Sequence, residues 1–300
     1  MNQPDKLDQE ALSYAKNYMG EFAWPSVVYG LVVCASYLTT VALAMAGLMP
    51  LVLASPLVAI LTYLTYTLLH EAAHGSISGS RQSLRWVNEA LGYMAAWILM
   101  MPLTAHRHEH LAHHRHTNEE DGDPDFPVGE LGDSVLQTVR VPFGIFFGQF
   151  SYYMKHRWQK APARQNLYFC IEVVVALLPR LALISAGFWL EGLVLFGLAW
   201  WLGLMITLYL FAYLVHRPHS EVGRYVDTST VLAPGILGPI VTALWVCQNY
   251  HSIHHLFPRV PFYHYPALFR DIEKIMAVKG APIYRLTGQG VFARMEPLQG

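Results

Sequence analysis

Long uncharged apolar runs alternate along this chain with polar stretches rich in histidine. Residues 1–25 are polar and of mixed charge, and they close on Trp24-Pro25, where an aromatic suits a membrane interface. Ser26 to Met49 carries no charge and is long enough as a helix to cross roughly 30 Å of hydrocarbon. Pro50 breaks that run. Leu51 to Leu69 is a second uncharged run, and it delivers His70 and His74 to its end. Leu167 to Leu190 and Gly192 to Val215 can span as well, and the latter leads into His216-Arg217-Pro218-His219.

Between the two predicted hairpins, Ala90 to Leu103 and Val141 to Tyr153 are apolar but short for a span, and read as interfacial or re-entrant. Val231 to Val246 is broken by Pro234, Gly235, Gly238 and Pro239 and reads as interfacial too. The last forty residues are amphipathic and more polar, with Lys274, Lys279, Arg285 and Arg294. The pattern predicts an all-α integral membrane protein with four transmembrane helices and a cytosolic helical cap, built as one domain over 1–300. Its parts are an arm (1–25), a first hairpin (26–69), a cytosolic or interfacial region (70–165), a second hairpin (166–215) and a cap (216–300). No internal repeat stands out.

Composition agrees: 54% of residues are hydrophobic, 14% are charged and the formal net charge is -1. There is no basic tail, so nothing points to nucleic acid as a partner. Lys and Arg are absent around Pro50 and Glu191, whereas two lie in the arm, nine between residues 81 and 164, and eight after residue 216. The positive-inside rule then puts both termini and every histidine cluster on the cytosolic side, the expected address being a bacterial inner membrane. The arm lacks a basic segment followed by an apolar core, so no cleaved signal peptide is expected. Cys34, Cys170 and Cys247 sit far apart in apolar segments and read as small buried hydrophobes. Glu172 and Arg180 fall inside the third span. Charges at that depth face the protein interior, a lumen or each other, so they line a substrate tunnel or pair within the packing.

Histidine is where the chemistry concentrates. Six of the fifteen lie within residues 106–116. A helix puts positions three and four apart on one face, so His110, His113 and His114 can aim at one centre. His70-Glu71-Ala72-Ala73-His74 has the i,i+4 spacing, and His251-Ser252-Ile253-His254-His255 repeats the three-then-adjacent spacing. Such a run can also be a surface metal scavenger, but matched spacing in three distant clusters argues for one site. Two, three and three histidines exceed the capacity of one ion and imply a dinuclear site held by the cap. An all-nitrogen set fits iron, manganese or zinc, and only a redox metal such as iron activates C–H bonds beside a lipid-holding body. His106, His108 and His116 exceed this pattern and read as supporting or solvated residues, while His156 and His264 take no role. The acidic run Glu119 to Asp125 reads as a turn closing the second cluster, with carboxylates placed to orient an imidazole; it lacks the terminal glutamate of a calcium loop.

These three boxes resemble those of the integral-membrane fatty acid desaturase superfamily. The flanks are similar too: Thr117-Asn118 follows the second box, and Gln248-Asn249-Tyr250 precedes the third, which runs on as Leu256-Phe257-Pro258-Arg259-Val260-Pro261-Phe262. The resemblance covers about residues 50 to 270. Asp123-Pro124-Asp125, His216-Arg217-Pro218-His219 and Gln248-Asn249-Tyr250-His251 resemble the bacterial carotenoid hydroxylase and ketolase branch more than typical acyl desaturases.

The resemblance implies that His70, His74, His110, His113, His114, His251, His254 and His255 bind two iron ions, with dioxygen as co-substrate. A further ligand is expected near the end of the fourth span, where His216 fits and His219 is its rival. An asparagine that some relatives carry four residues earlier is replaced here by Ala212. Asn118, Asp123, Asp125, His219 and Asn249 are the candidates to support the ligands. The leading expectation is a fatty-acyl desaturase. The alternatives are a carotenoid hydroxylase or ketolase, and a fatty acid decarboxylase whose free acid Arg180 or Arg217 would hold. A membrane metal-binding protein without catalysis is the reading from another class. The partners expected are a long-chain lipid substrate, the membrane lipid itself and a separate electron donor of ferredoxin, rubredoxin or cytochrome b5 type with its reductase, since no flavin, NAD or haem motif is present.

Overall fold

Helix α3 (Leu51–His74) is the post around which the computed structural model is built. Residues 3–287 and 292–294 are described, so the extreme ends of the predicted arm and cap, and residues 288–291, lie outside the description. α1 (Gln3–Ala15) precedes α2 (Trp24–Met45), which carries Pro25 in its first turn, where a proline is suited. α2 and α3 form the first hairpin, and Gly75 ends α3 in the left-handed conformation (φ 70), which glycine adopts at no steric cost. α4 (Arg85–Leu99) and α5 (Leu103–His116) fold back beneath, then α6 (Val135–Tyr152) leads to the second hairpin, α7 (Ala163–Ser185) and α8 (Trp189–Tyr213). α9 (Leu237–Leu244), α10 (His251–Leu256) and α11 (Tyr265–Val278) complete the helical cap.

Among the described residues, four helices are long and apolar enough to cross a membrane, namely α2, α3, α7 and α8. α7 is the outermost, with 17% of its apolar window buried against 44% for α3 and α8. α8 is wound as π-helix over Gly192–Ala199 and Leu208–Tyr213, the second stretch lying just before His216. Glycine permits the tight packing on α3. A Cβ at Gly203 would stand 2.5 Å from the Ala59 carbonyl oxygen, and one at Gly92 would stand 2.6 Å from Ala72 Cβ. The main core lies between α2, α3, α4 and α8, and a second core joins α1 to α10 and α11 through Ala11, Ala15, Leu268, Phe269 and Ile272.

The helical expectation holds, with small departures. The turn between the last two spans lies at 186–188, where Gly187 takes φ 102, so Leu190 and Glu191 belong to α8. The segment read as interfacial begins as strand β1 (Thr230–Leu232). It pairs in parallel with β2 (Ile283–Leu286), which pairs antiparallel with β3 (Phe292–Arg294). The rest of that segment does stand out as an apolar surface, with Ile236 83% and Leu244 70% exposed. Of the segment Ala90 to Leu103, Ala90 to Leu99 is the second half of α4 and packs on α3, with Leu91, Ala95 and Leu99 buried, and Leu103 opens α5. Cys170 is exposed on the outer helix, contrary to expectation, while Cys34 is buried and Cys247 partly so.

Candidate metal centre

The site forms where the end of α3, one face of α5, the end of α8 and the short α10 meet. α5 starts after Pro102, and Glu172 of α7 reaches its first turn, accepting from the Thr104 hydroxyl at 2.5 Å and its backbone N–H at 3.3 Å. A carboxylate there satisfies free N–H groups and complements the helix dipole. Thus Glu172 positions the histidine helix. On α5, Arg107 turns away to pair with Glu89 at 3.0 Å and to donate to the Ala72 carbonyl, tying α5 to α3 and α4.

The ring nitrogens converge in two groups. His70, His74, His110, His114 and His254 offer atoms within 4.8 Å of one another, as do His113, His216 and His255. Within the first group, Nε2 to Nε2 distances are 2.9 Å for His74 and His110, 3.1 Å for His110 and His114, and 2.9 Å for His114 and His254. In the second they are 2.9 Å for His113 and His216 and 3.3 Å for His216 and His255. Imidazoles bound to one ion at about 2.1 Å stand about 3.0 to 3.4 Å apart for octahedral or tetrahedral angles, which is the spacing observed. The groups touch: the rings of His114 and His255 stack at 4.2 Å.

Proton placement points the same way. The His216 Nδ1–H donates to the Ala212 carbonyl at 2.6 Å, and the His113 Nδ1–H donates to Asp123 at 2.8 Å. In neutral rings both Nε2 lone pairs then face each other, with that of His255 nearby, and only a cation at their common point makes this favourable. A proton satisfies one pair of the three; a metal ion satisfies all. His70 is buried with no hydrogen-bond partner for either ring nitrogen, and coordination would give its acceptor nitrogen a partner. The chain therefore holds a metal site.

Burial and the neighbouring imidazoles press His110, His114, His251, His254 and His255 well below the usual histidine range, so these rings are neutral and free to ligate. Burial, with the charge of His113, takes His216 down to about 3. His113 is the exception. Burial lowers it, but the hydrogen bond and charge of Asp123 more than reverse this and hold it above the ordinary value.

Eight of the nine expected ligands fall into the two groups. His251 stands between them, its ring 4.9 Å from His216 and 5.9 Å from His70, with Nδ1 3.4 Å from the Gln248 side chain. Near the end of the fourth span, His216 stands among the converging nitrogens, while His219 stacks on Tyr213 at 5.1 Å. Asp123 braces His113 and accepts the backbone N–H of Asn118 and Asp125, each at 2.8 Å. Asp125 stands farther from His113 Nδ1, at 3.7 Å. Asn118 donates to the Glu221 and Asp227 carbonyls and so clamps the loop after the fourth span, while Asn249 reaches the Val231 carbonyl and no box histidine.

Neither arginine is placed for the role considered above. Arg180 is buried, bonded to the Trp97 and Ala176 carbonyls with its guanidinium over the Trp97 ring, and Arg217 lies over Tyr213. Both are outside the cavities described below. Sequence reasoning missed Tyr265, whose hydroxyl meets His254 Nδ1 at 3.0 Å, and Glu71, which accepts from Ser26 at 2.5 Å and from the Phe262 backbone at 2.8 Å. The adjacency of Glu71 to His70 was the only available signal. It also missed Asp227, 4.0 Å from His255, and Gln149.

Two cavities adjoin the site. A groove of about 950 Å³ lies between α4, α6, α7 and α8 and is walled by Trp97, Met100, Phe147, Ile171, Val175 and Trp200. A chamber of about 70 Å³ reaches His110, His113, His216 and His251, and Phe146 lines both.

A sequence-family model described as fatty acid desaturase matches residues 46–287. The chain belongs to the fatty acid desaturase family. A Delta(9) fatty acid conjugase-like enzyme of Dimorphotheca sinuata is 26% identical over 262 residues, covering 72% of this chain and 67% of its own. A beta-carotene ketolase of a Paracoccus species is 29% identical over 230 residues, covering 71% and 80%. A chloroplastic omega-3 fatty acid desaturase of Sesamum indicum is 24% identical over 229 residues, covering 66% and 49%. The chain thus spans about two thirds or less of these plant desaturase-type relatives and more of the ketolase. As a desaturase-family member with four apolar spans, it is an integral membrane protein.

Proposed function

We propose that this chain is a membrane-bound, dioxygen-dependent diiron oxidoreductase that attacks an aliphatic C–H bond of a lipid, with fatty-acyl desaturation as the leading reaction. The observation that carries it is the junction at Phe146 between a large apolar groove and two converging histidine groups. His70, His74, His110, His114 and His254 would hold one ion, and His113, His216 and His255 the other, with His251 beside both. All-imidazole ligation suits iron, which, when bound, supplies the redox chemistry with dioxygen that zinc lacks.

The protein's own residues bind and orient. Asp123 fixes the His113 tautomer so that Nε2 faces the ion, and the His216 Nδ1–H bond to Ala212 does the same for that ring. The apolar groove takes the lipid body out of the bilayer and excludes water from the reacting carbon. Desaturation turns two C–H bonds, dioxygen, two electrons and two protons into an alkene and two waters. Oxygenation turns one C–H bond and the same reagents into an alcohol and one water. Both need an external electron donor, for which the arginine-bearing polar face, taken as cytosolic by its charge bias, is the docking side.

Oxygenation of a carotenoid is the second reading, favoured by the fuller coverage of the Paracoccus ketolase. The test is lipid and pigment profiling of a host with and without the expressed gene. A new unsaturated or oxygenated lipid should appear with the wild type and vanish with His113→Ala or His254→Ala. Identical profiles with metal-loaded protein present in the membrane would overturn the proposal.

A further inference from the structure

One face of α4 changes character turn by turn. Arg85, Glu89, Tyr93, Trp97 and Met100 are spaced three or four apart and all line the large groove, so its wall passes from charge through phenol to hydrocarbon. At 1.5 Å per residue that wall is about 22 Å long, the reach of a long acyl chain.

The charged end continues past the groove. Arg85 and Glu89 also line a polar cleft of about 250 Å³, where they meet Arg81 from the loop after α3, Arg107 from α5 and Arg259 from the loop after α10, beside His74. Four arginines thus face one carboxylate. Glu89 is bound by Arg107 at 3.0 Å, whereas Arg81, Arg85 and Arg259 have no ion-pair partner among the described residues. Glu172, the other acid of the groove, is taken by Thr104. Three chain segments therefore bring uncompensated positive charge to one cleft, and a metal ion behind His74 would add to the same field.

An anion at that place offsets the repulsion. A lone carboxylate offers one charge to three arginines, while a phosphate offers up to two charges and three acceptor oxygens that suit the guanidinium fork. The cleft has the volume of about eight waters, room for a phosphate group and part of its hydration.

We propose that this arginine cleft is a subsite for a phosphate-bearing head group, with the acyl chain of the same molecule laid along α4 towards Phe146. The inference rests on the lipid-oxidation reading above and narrows its substrate to a phosphorylated amphiphile, which a carotenoid hydrocarbon is not. A phosphorylated thioester carrier and a glycerophospholipid both supply that chemistry. The other polar cleft, at His114 and His255, stays open to an electron donor.

The test is equilibrium binding of radiolabelled stearoyl-coenzyme A, 1-stearoyl lysophosphatidate, stearate and 1-monostearoylglycerol to the metal-loaded full chain in uncharged detergent, corrected for partitioning into micelles. Exposed ion pairs are worth up to about fivefold each, so three predict that a phosphorylated probe binds about tenfold or more tighter than the glyceride, by a margin that shrinks as salt rises. Arg81→Gln, Arg85→Gln and Arg259→Gln should each cut that margin about two- to fivefold at unchanged metal content. Lys160→Gln, which removes an exposed cation outside the cleft, should leave it intact. The tighter of the two phosphorylated probes identifies the source, carrier or glycerolipid. Glyceride binding as tight as that of both phosphorylated probes, a margin untouched by the three arginine variants, or tightest binding of stearate would overturn the subsite. Equal binding of all probes with slower reduction of the arginine variants by an acidic donor would also overturn it and give the cleft to that donor. If glyceride and phosphates bind equally and the acyl chain is oxidised, the subsite alone fails. If no probe binds, the lipid-oxidation reading fails and the subsite with it.

Discussion

Asp123→Asn is the sharpest probe of the two-group arrangement. The Asp123 carboxylate accepts three donors, the His113 Nδ1–H and the backbone N–H groups of Asn118 and Asp125, all at 2.8 Å. Asparagine has one acceptor oxygen and an amide donor in place of the other, so either the imidazole or the loop loses its partner and meets an N–H instead. Losing a hydrogen bond to a charged acceptor costs about 1.5–3 kcal/mol. Removing the carboxylate partner of a metal-bound histidine lowers affinity about 10- to 100-fold, or about 1.4–2.7 kcal/mol, so the two routes agree. The loss should fall on the group of His113, His216 and His255. Anaerobic titration of the metal-free protein with ferrous iron against a competing chelator reads it directly: the weaker step shifts, the step assigned to the five-histidine group stays within about threefold, and metal per chain falls towards one. Asp125→Asn should shift the same step less, given its 3.7 Å separation from His113. Two unshifted steps, or two steps shifted equally, would refute the division of the histidines.

The other group has its own lever. Tyr265→Phe removes the hydroxyl 3.0 Å from His254 Nδ1 while keeping the buried ring, and should weaken the step assigned to the five-histidine group about three- to tenfold. Gly203→Ala should lower the unfolding midpoint of the detergent-solubilised protein at a cost of about 1–3 kcal/mol. Its new Cβ would lie 2.5 Å from the Ala59 carbonyl oxygen in backbone that cannot yield; an unchanged midpoint would contradict the close packing of α3 on α8. Phe146→Trp should narrow the junction of groove and chamber. Turnover is expected to fall about tenfold or more with metal content intact, and full turnover would show that the lipid takes another path.

The boxes were legible because helical spacing is a local property. His70 and His74, or His110 and His114, share a face whatever surrounds them, and an uncharged run of twenty residues has few ways to be soluble. How the histidines divide was not legible. His113 and His114 are neighbours, yet successive residues on a helix diverge by about 100°, so His114 joins His110 and His254 while His113 turns to His216. Which way each turns depends on how α5 rolls against α3, a tertiary fact. The same applies to Glu71 and Phe262, bonded across 191 positions, and to Tyr265, which no spacing rule connects to His254. Arg180 misled because a charge in a span suggests a substrate clamp, whereas this one packs on the aromatic faces of Trp97 and Phe196 and reaches two carbonyls and Tyr37.

The placement of the cavities gives the site two sides. The groove that meets the histidines at Phe146 is walled by apolar side chains of α4, α6 and α7, the last of which turns most of its surface outward. One polar cleft of about 250 Å³, which borders the groove at Arg85 and Glu89, reaches His74 between Arg81, Arg107 and Arg259, and another of about 300 Å³ reaches His114 and His255 beside Arg115 and Arg224. His74, His114 and His255 are the members of the two groups that retain partial exposure, and all three face these clefts. An oil-soluble substrate and a water-soluble electron donor therefore have no need to share a route. An acidic carrier docked over either arginine rim would stand one imidazole away from the ions, and the lipid would approach them through the bilayer face. Lipid occupancy of the groove should then leave reduction of the centre by a water-soluble donor unhindered, a separation that the clustering of every box at the polar ends of the spans makes possible.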